Sequence, residues 1–121
     1  MITKVLIVDD SAMSRKIIRK ALPHEWEVTI SEAADGSEAL VAYQAGKADV
    51  MFLDLTMPNL DGFAVLEALK KQEAKVCVFV VSADIQPKAH ERVISLGAMA
   101  FIKKPVDAEI LKNELKKAGL I

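Results

Sequence analysis

Two aspartates, Asp9 and Asp10, stand side by side directly after the apolar run Val5 to Val8. A third, Asp54, follows the run Val50 to Leu53. Ser82 follows the run Val76 to Val81, and Lys103, Lys104 and Pro105 follow Ala100 to Ile102. Acids, a hydroxyl and an amine at the ends of buried runs suit cation and phosphate chemistry. An all-oxygen site with few protein ligands fits Mg²⁺, which keeps several waters and often also binds a phosphate. Nothing in the pattern supplies the imidazole or thiolate ligands of a zinc site. The histidines, His24 and His90, read as surface residues.

Taken singly, each residue has an ordinary reading. A strand-end Asp or Ser often caps the following helix, and a strand-end Lys is usually a solvated charge. The combination is harder to explain that way. Like charges ~4 Å apart repel by about 4 kcal/mol at an effective dielectric of ~20. Carboxylates gathered in one place therefore need a cation among them, or one acid held protonated.

The elements that must position these residues follow from hydrophobic spacing. The runs Val5 to Val8, Val50 to Leu53 and Val76 to Val81 are continuous, as expected of strands covered on both faces. Val28 to Ile30 lies in an alternating stretch, which predicts an edge strand, and Ala100 to Ile102 is the fifth run. Between them the spacing is helical. Met13, Ile17, Ala21 and Leu22 predict one face of a first helix, stopped by Pro23. Asp35 and Glu38 resemble a capping box for a second helix with Ala39, Leu40 and Tyr43, ended by Gly46. Phe63, Leu66 and Leu69 stripe a third helix. Ala89, Val93 and Leu96 stripe a fourth, up to Gly97. Ile110, Leu111 and Leu115 stripe a fifth, with Asp107 as its cap. This alternation predicts one α/β domain over residues 1–121, a parallel sheet with helices on both faces. In such sheets ligands bind beyond the carboxyl ends of the strands, where the strand order reverses. The acids, Ser82 and the lysines all fall there.

Composition narrows the function. At 121 residues and 52 % hydrophobic, the chain can bury one core. A formal net charge of -1 offers no field for gripping nucleic acid or an anionic membrane. The single cysteine, Cys77, lies inside an apolar run and predicts packing rather than redox chemistry. No apolar stretch approaches the ~20 residues of a membrane span, and the start of the chain carries no signal-peptide pattern, so a cytoplasmic location is expected.

The motifs Val8-Asp9-Asp10-Ser11, Glu32 to Leu40, Asp54 to Gly62, Val81-Ser82-Ala83, and Gly97-Ala98 leading to Phe101-Ile102-Lys103-Lys104-Pro105 together resemble the receiver domains of bacterial response regulators, along essentially the whole chain. The resemblance implies a flavodoxin-like, doubly wound five-stranded parallel sheet of order 2-1-3-4-5. It implies that Asp54 takes a phosphoryl group from a phosphohistidine on a sensor histidine kinase or histidine phosphotransfer protein. Asp10, Asp54 and the backbone carbonyl of Thr56 would ligate Mg²⁺, with Asp9 acting mainly through water. Lys104 would pair with one phosphoryl oxygen, and Ser82 would hydrogen-bond another as the switch. Phe101 matches the aromatic that turns inward when Ser82 moves. Strand alternation lets only one of the adjacent lysines face the site, and Lys104, before the proline, is the match. Its bond to Pro105 is cis in most of the family. Thr56 and Asp84 match positions that tune phosphoryl lifetime.

The same resemblance implies an effector protein on the face of the fourth helix, fifth strand and fifth helix, with Ile85, Lys88, Arg92, Phe101 and Lys103 as candidates. The phosphodonor protein would approach near Met13, Arg15 and the Pro105-Val106 turn. Such a domain assists only its own phosphorylation and dephosphorylation and is not otherwise an enzyme. An aspartyl-nucleophile hydrolase of the haloacid dehalogenase group would need Asp-x-Asp-x-Thr after the first strand, where this chain has Asp9-Asp10-Ser11-Ala12-Met13. A nucleotide-binding module would need a phosphate cradle there, often glycine-rich. The closer alternative is a pseudo-receiver, a protein-interaction module working without phosphorylation.

Overall fold

The computed structural model describes residues 2–121 apart from position 85. Strands and helices alternate in chain order: β1 (Thr3–Val8), α1 (Ala12–Ala21), β2 (Val28–Ala33), α2 (Gly36–Gln44), β3 (Val50–Leu53), α3 (Gly62–Lys71), β4 (Cys77–Ser82), α4 (Pro87–Ser95), β5 (Ala100–Lys103) and α5 (Ala108–Lys117). The strands form one parallel sheet of order β2-β1-β3-β4-β5. β2 lies at an edge, as its alternation predicts. None of the described helices is long and apolar enough to cross a membrane.

Successive strand side chains point to opposite faces, so each central strand feeds two cores. Leu6, Val8, Met51, Leu53, Val78 and Val80 meet Ala39 of α2, Val65, Leu66 and Leu69 of α3, and Val93 of α4. Val5, Ile7, Phe52, Phe79, Val81 and Ile102 meet Ile18 and Leu22 near α1, and Leu111 and Leu115 of α5. Phe52 and Phe79 stack with ring centroids 5.5 Å apart, tying β3 to β4. Such a pair adds about 0.5–1.5 kcal/mol beyond its burial. Cys77 is half-buried, and burial pushes its thiol up, away from thiolate chemistry.

Two predicted stripes are corrected. α1 buries Ile18, with Leu22 just past its end, while Met13 is 66 % exposed and Ile17 43 %. The apolar residues at 17 and 18 are adjacent, and the sheet selects the second. In α5, Leu111 and Leu115 are buried but Ile110 is exposed.

The helix ends follow the sequence signals. Leu22 is extended ahead of Pro23, since a residue before proline is pushed out of the helical region. Gly46 and Gly97 adopt positive φ of 77° and 102° just after α2 and α4, the conformation a Cβ disfavours. Asp35 caps α2 by accepting from the Glu38 N–H at 2.8 Å. Glu38 reaches back to the N–H of Ala34 rather than of Asp35, closing the box one residue earlier than the usual pattern. Asp61 and Asp107 cap α3 and α5.

Gly62 opens α3 directly beneath the β3 end. Its N–H donates to the Leu55 carbonyl at 3.0 Å. A Cβ there would collide with the Asp54 carbonyl oxygen and stand 2.8 Å from Leu55 Cα. That crowding is backbone against backbone and cannot relax by a rotamer change. Gly62→Ala is expected to lose about 1–3 kcal/mol of stability, read as a lower urea midpoint. A midpoint equal to wild type would show that α3 can shift without cost.

Candidate functional site

Register brings the acids together. Val8, Leu53 and Val80 stand level on β1, β3 and β4, so the chain leaves neighbouring strands at one height. The Asp9 N–H donates to the Ala33 carbonyl at 3.1 Å, and the Asp54 N–H donates to the Val8 carbonyl at 3.0 Å. Backbone pairing thus continues one residue past β1 and β3 and fixes the roots of both side chains. On β5, Lys103 pairs with Ser82, and the Lys104 N–H donates to the Ser82 carbonyl at 2.9 Å. That extension carries Lys104 over the acids, and Lys103 stays exposed. The Lys104–Pro105 peptide bond is cis.

Asp9 is 1 % exposed and Asp54 6 %, whereas Asp10 lies in solvent. Each of the three offers a carboxylate oxygen within 4.8 Å of the others. Lys104 Nζ stands 2.8 Å from Asp9 Oδ2 and 3.6 Å from Asp54 Oδ1. The other Asp9 oxygen accepts the Ser11 N–H at 2.9 Å. Asp54 Oδ1 also accepts the Leu55 N–H at 2.9 Å.

One ammonium against three carboxylates leaves the pocket net negative. Burial, and then the charge of Asp9, push the Asp54 carboxyl up, against the pull of Lys104 and backbone N–H groups. Burial alone would lower the Lys104 pKa. Its hydrogen bond to Asp9 and the charges of Asp54 and Asp9 outweigh burial, and the net shift is upward. This donor set, all oxygen and under-neutralised, fits a hard divalent cation.

Ser82 is buried, and its Oγ accepts the Asp84 N–H at 3.1 Å. A hydroxyl can also donate, and among the described residues no acceptor takes its hydrogen. Phe101 is not in the pocket. It packs on the α4 side of the sheet, where its ring stacks on His90 at 5.2 Å between centroids and 11° between planes. Thr56 is exposed beyond Asp54.

Periodicity gave no role to three neighbours of this site. Ser11 caps α1 through its side chain while its N–H holds Asp9. His90, read as a bare surface residue, covers Phe101. Arg15 donates to the Asp9 carbonyl at 2.7 Å. The spacing of Arg15 and Arg19, four apart on α1, was a visible signal for the last, but its target Glu32 is distant in sequence. Of the output candidates, Lys88 and Lys103 are exposed. Arg92 is engaged by α3, 3.0 Å from Glu67 and over the Phe63 ring at 4.2 Å. Ile85 lies outside the described residues.

Sheet order and acid cluster define an α/β domain of the flavodoxin-like class. A family model described as the response regulator receiver domain matches residues 5–116, and the chain belongs to that family. It is 32 % identical over 117 residues to the chemotaxis protein CheY of Bacillus subtilis, covering 97 % of this chain and 98 % of that one. Among solved structures it resembles the signal receiver domain of the response regulator NarL from Mycobacterium tuberculosis, with a TM-score of 0.86, 32 % identity and coverage of 98 % and 97 %. It also resembles a chain of the CheX-CheY-BeF3-Mg complex from Borrelia burgdorferi, with a TM-score of 0.87, 29 % identity and coverage of 98 % and 90 %.

The raised Asp54 pKa has a consequence for stability. A carboxyl whose folded pKa lies above its unfolded value costs stability when ionised, and the cost shrinks as pH falls below the folded value and is gone below the unfolded one. Asp54→Asn is therefore expected to be more stable than wild type at pH 7, by about 0.5–2 kcal/mol. The gain should shrink on acidification toward the ordinary carboxylate range. Urea unfolding of both proteins, without added divalent cation, measures it. A less stable Asn variant at neutral pH would contradict the electrostatics described.

Proposed function

We propose that residues 1–121 act as a single receiver domain whose Asp54 is transiently phosphorylated by a histidine kinase or histidine phosphotransfer protein in the cytoplasm. The observation that carries this is the buried Asp54, disfavoured as an anion, with Lys104 held between it and Asp9. An Asp54 carboxylate oxygen attacks phosphorus in line with the phosphohistidine P–N bond. That bond breaks, the imidazole leaves with the bonding electrons and gains a proton, and an acyl phosphate forms on Asp54.

Asp10, Asp54 and the Thr56 carbonyl would hold Mg²⁺, with Asp9 acting through water, and the ion would supply neutralisation of the charge on the transferring phosphoryl group. Both Asp9 oxygens already accept hydrogen bonds, which supports its indirect role. Lys104 follows the new charge, exchanging Asp9 for a phosphoryl oxygen. Ser82 donates its uncommitted hydrogen to another. The space its hydroxyl leaves draws Phe101 inward from its stack on His90, which alters the α4-β5-α5 face read by an effector protein. Thr56 and Asp84 border the route of attacking water and tune lifetime.

The donor protein fits the opposite side of the pocket. A groove of about 340 Å³ there is lined by Ser14, Ile17, Ile18, Ala83, Lys104, Pro105 and Val106. Met13 and Ile17 stand exposed on the same helix. An apolar α1 edge beside the lysine end suits a helical partner presenting a phosphohistidine.

Incubation with Mg²⁺ and acetyl phosphate, followed by intact-mass measurement, is the direct test. The wild type should gain one phosphoryl group and Asp54→Asn none. A wild type that gains nothing, or an Asn variant that gains as much, would leave the pseudo-receiver reading in its place. Trp26 supplies an independent check. It packs just before β2, by the N-terminal ends of the strands and away from the acids. Its fluorescence should stay nearly constant through phosphorylation, and a large change in intensity would speak against that separation.

A further inference from the structure

Asp10 has a position in the acid cluster that its own side chain does not secure. Among the described residues its carboxylate has no hydrogen-bond partner, and it lies in solvent. Its direction must come from its backbone. The peptide joining Asp9 to Asp10 is planar, so whatever fixes the Asp9 carbonyl also fixes the N–H of Asp10 and restricts where its Cβ leaves the chain.

That carbonyl is held by Arg15. Nη1 of Arg15 donates to Asp9 O at 2.7 Å. Nε of the same guanidinium donates to Glu32 Oε1 at 2.7 Å, and the other Glu32 oxygen accepts from Arg19 Nη2 at 2.8 Å. Arg19 and then Arg15 hold the Glu32 carboxyl below the usual carboxylate range, so it is a firm anion. Glu32 stands on β2 opposite Ile7 of β1, in the register of the sheet. Arg15 is thus a planar fork with one prong on the metal-site backbone and the other on a side chain rooted in an adjacent strand. The fork geometry matters, because a lysine offers a single ammonium and cannot replicate it.

We propose that Arg15 is a positioning residue for the divalent cation: braced by Glu32, it orients the Asp9–Asp10 peptide so that the Asp10 carboxylate faces the ion. The inference rests on the reading of the acid cluster as a Mg²⁺ site. It goes beyond that reading by assigning part of the cation affinity to an arginine that touches neither ion nor phosphate.

A simple charge effect predicts the opposite sign. Arg15 is a cation beside an acidic pocket, and by Coulomb's law alone its removal should tighten Mg²⁺ binding. Loss of the brace should weaken it, by roughly tenfold, the low end of what removing a partner behind a metal ligand costs. Arg15→Lys separates the two further. It keeps the charge and loses the fork, so the brace predicts binding weakened several-fold and the charge effect predicts none.

The experiment is isothermal titration calorimetry of Mg²⁺ into wild type, Arg15→Ala and Arg15→Lys at one fixed ionic strength. A urea midpoint for each protein establishes that the titrated material is folded. Weakening in the order wild type, Lys, Ala is the expected result. Ala binding as tightly as wild type or tighter, or Lys binding like wild type, overturns the inference. If Arg15→Ala does not fold, the Lys variant decides alone. If wild type itself binds no Mg²⁺, the reading of the acid cluster fails instead, an outcome the wild-type titration separates from the first.

Discussion

Bringing three carboxylates to neighbouring strand ends is the constraint on which the rest of this structure turns. Two of those carboxylates, Asp9 and Asp54, are nearly buried. The cost of crowding and desolvating them is met by groups from separated segments: Lys104 after β5, the Ser11 N–H before α1, and the Leu55 N–H after β3. None could act without the parallel register that sets the strand ends level. The sheet interior, filled by Val, Ile, Leu and two stacked phenylalanines, supplies the stability against which this local strain is held. Apolar burial contributes about 1.5–3 kcal/mol per large side chain, so a pocket that costs a few can persist.

Continuous apolar strands and helical stripes were enough to read the alternation and the edge position of β2 from the sequence. They also placed the acids, Ser82 and Lys104 at one end of the sheet. Strand order was not readable that way and came from family resemblance. What periodicity mistook was phase. With Ile17 and Ile18 adjacent, a helical wheel accepts either as the inward face, and the choice belongs to the sheet beneath. The same limit hid the work of the charged residues. Arg15, Glu32 and Arg92 look like solvated surface in one dimension, because the partner that engages each is remote in sequence.

Phe101 illustrates a different kind of illegibility. As the middle residue of the apolar run Ala100 to Ile102 it could have filled the core. Instead Ile102 takes the α1–α5 side and Phe101 the α4 side, partly exposed and covered by the His90 ring. An aromatic held by one stack near the surface is more easily displaced than one packed on every side. That arrangement suits the proposed switch, in which the side chain must leave one environment for another without unfolding its strand.

The pocket divides into fixed and exchangeable contacts. Asp9 is fixed through its N–H to Ala33, its carbonyl to Arg15 and one oxygen to Ser11, and only its other oxygen, on Lys104, takes part in exchange. Ser82 and Lys104 each hold contacts that can be traded for similar ones. Lys104 would give up one charge-assisted hydrogen bond for another, and Ser82 would add a donor contact while losing at most one acceptor contact. Trading one hydrogen bond for a similar one avoids the roughly 1–3 kcal/mol, and more for a charged group, that a buried partner left unsatisfied would cost. A two-state equilibrium separated by a few kcal/mol can be tipped by a ligand that prefers one state. A phosphoryl group that favours the exchanged contacts can therefore reverse the balance, while Asp9 and the strands beneath it stay in place.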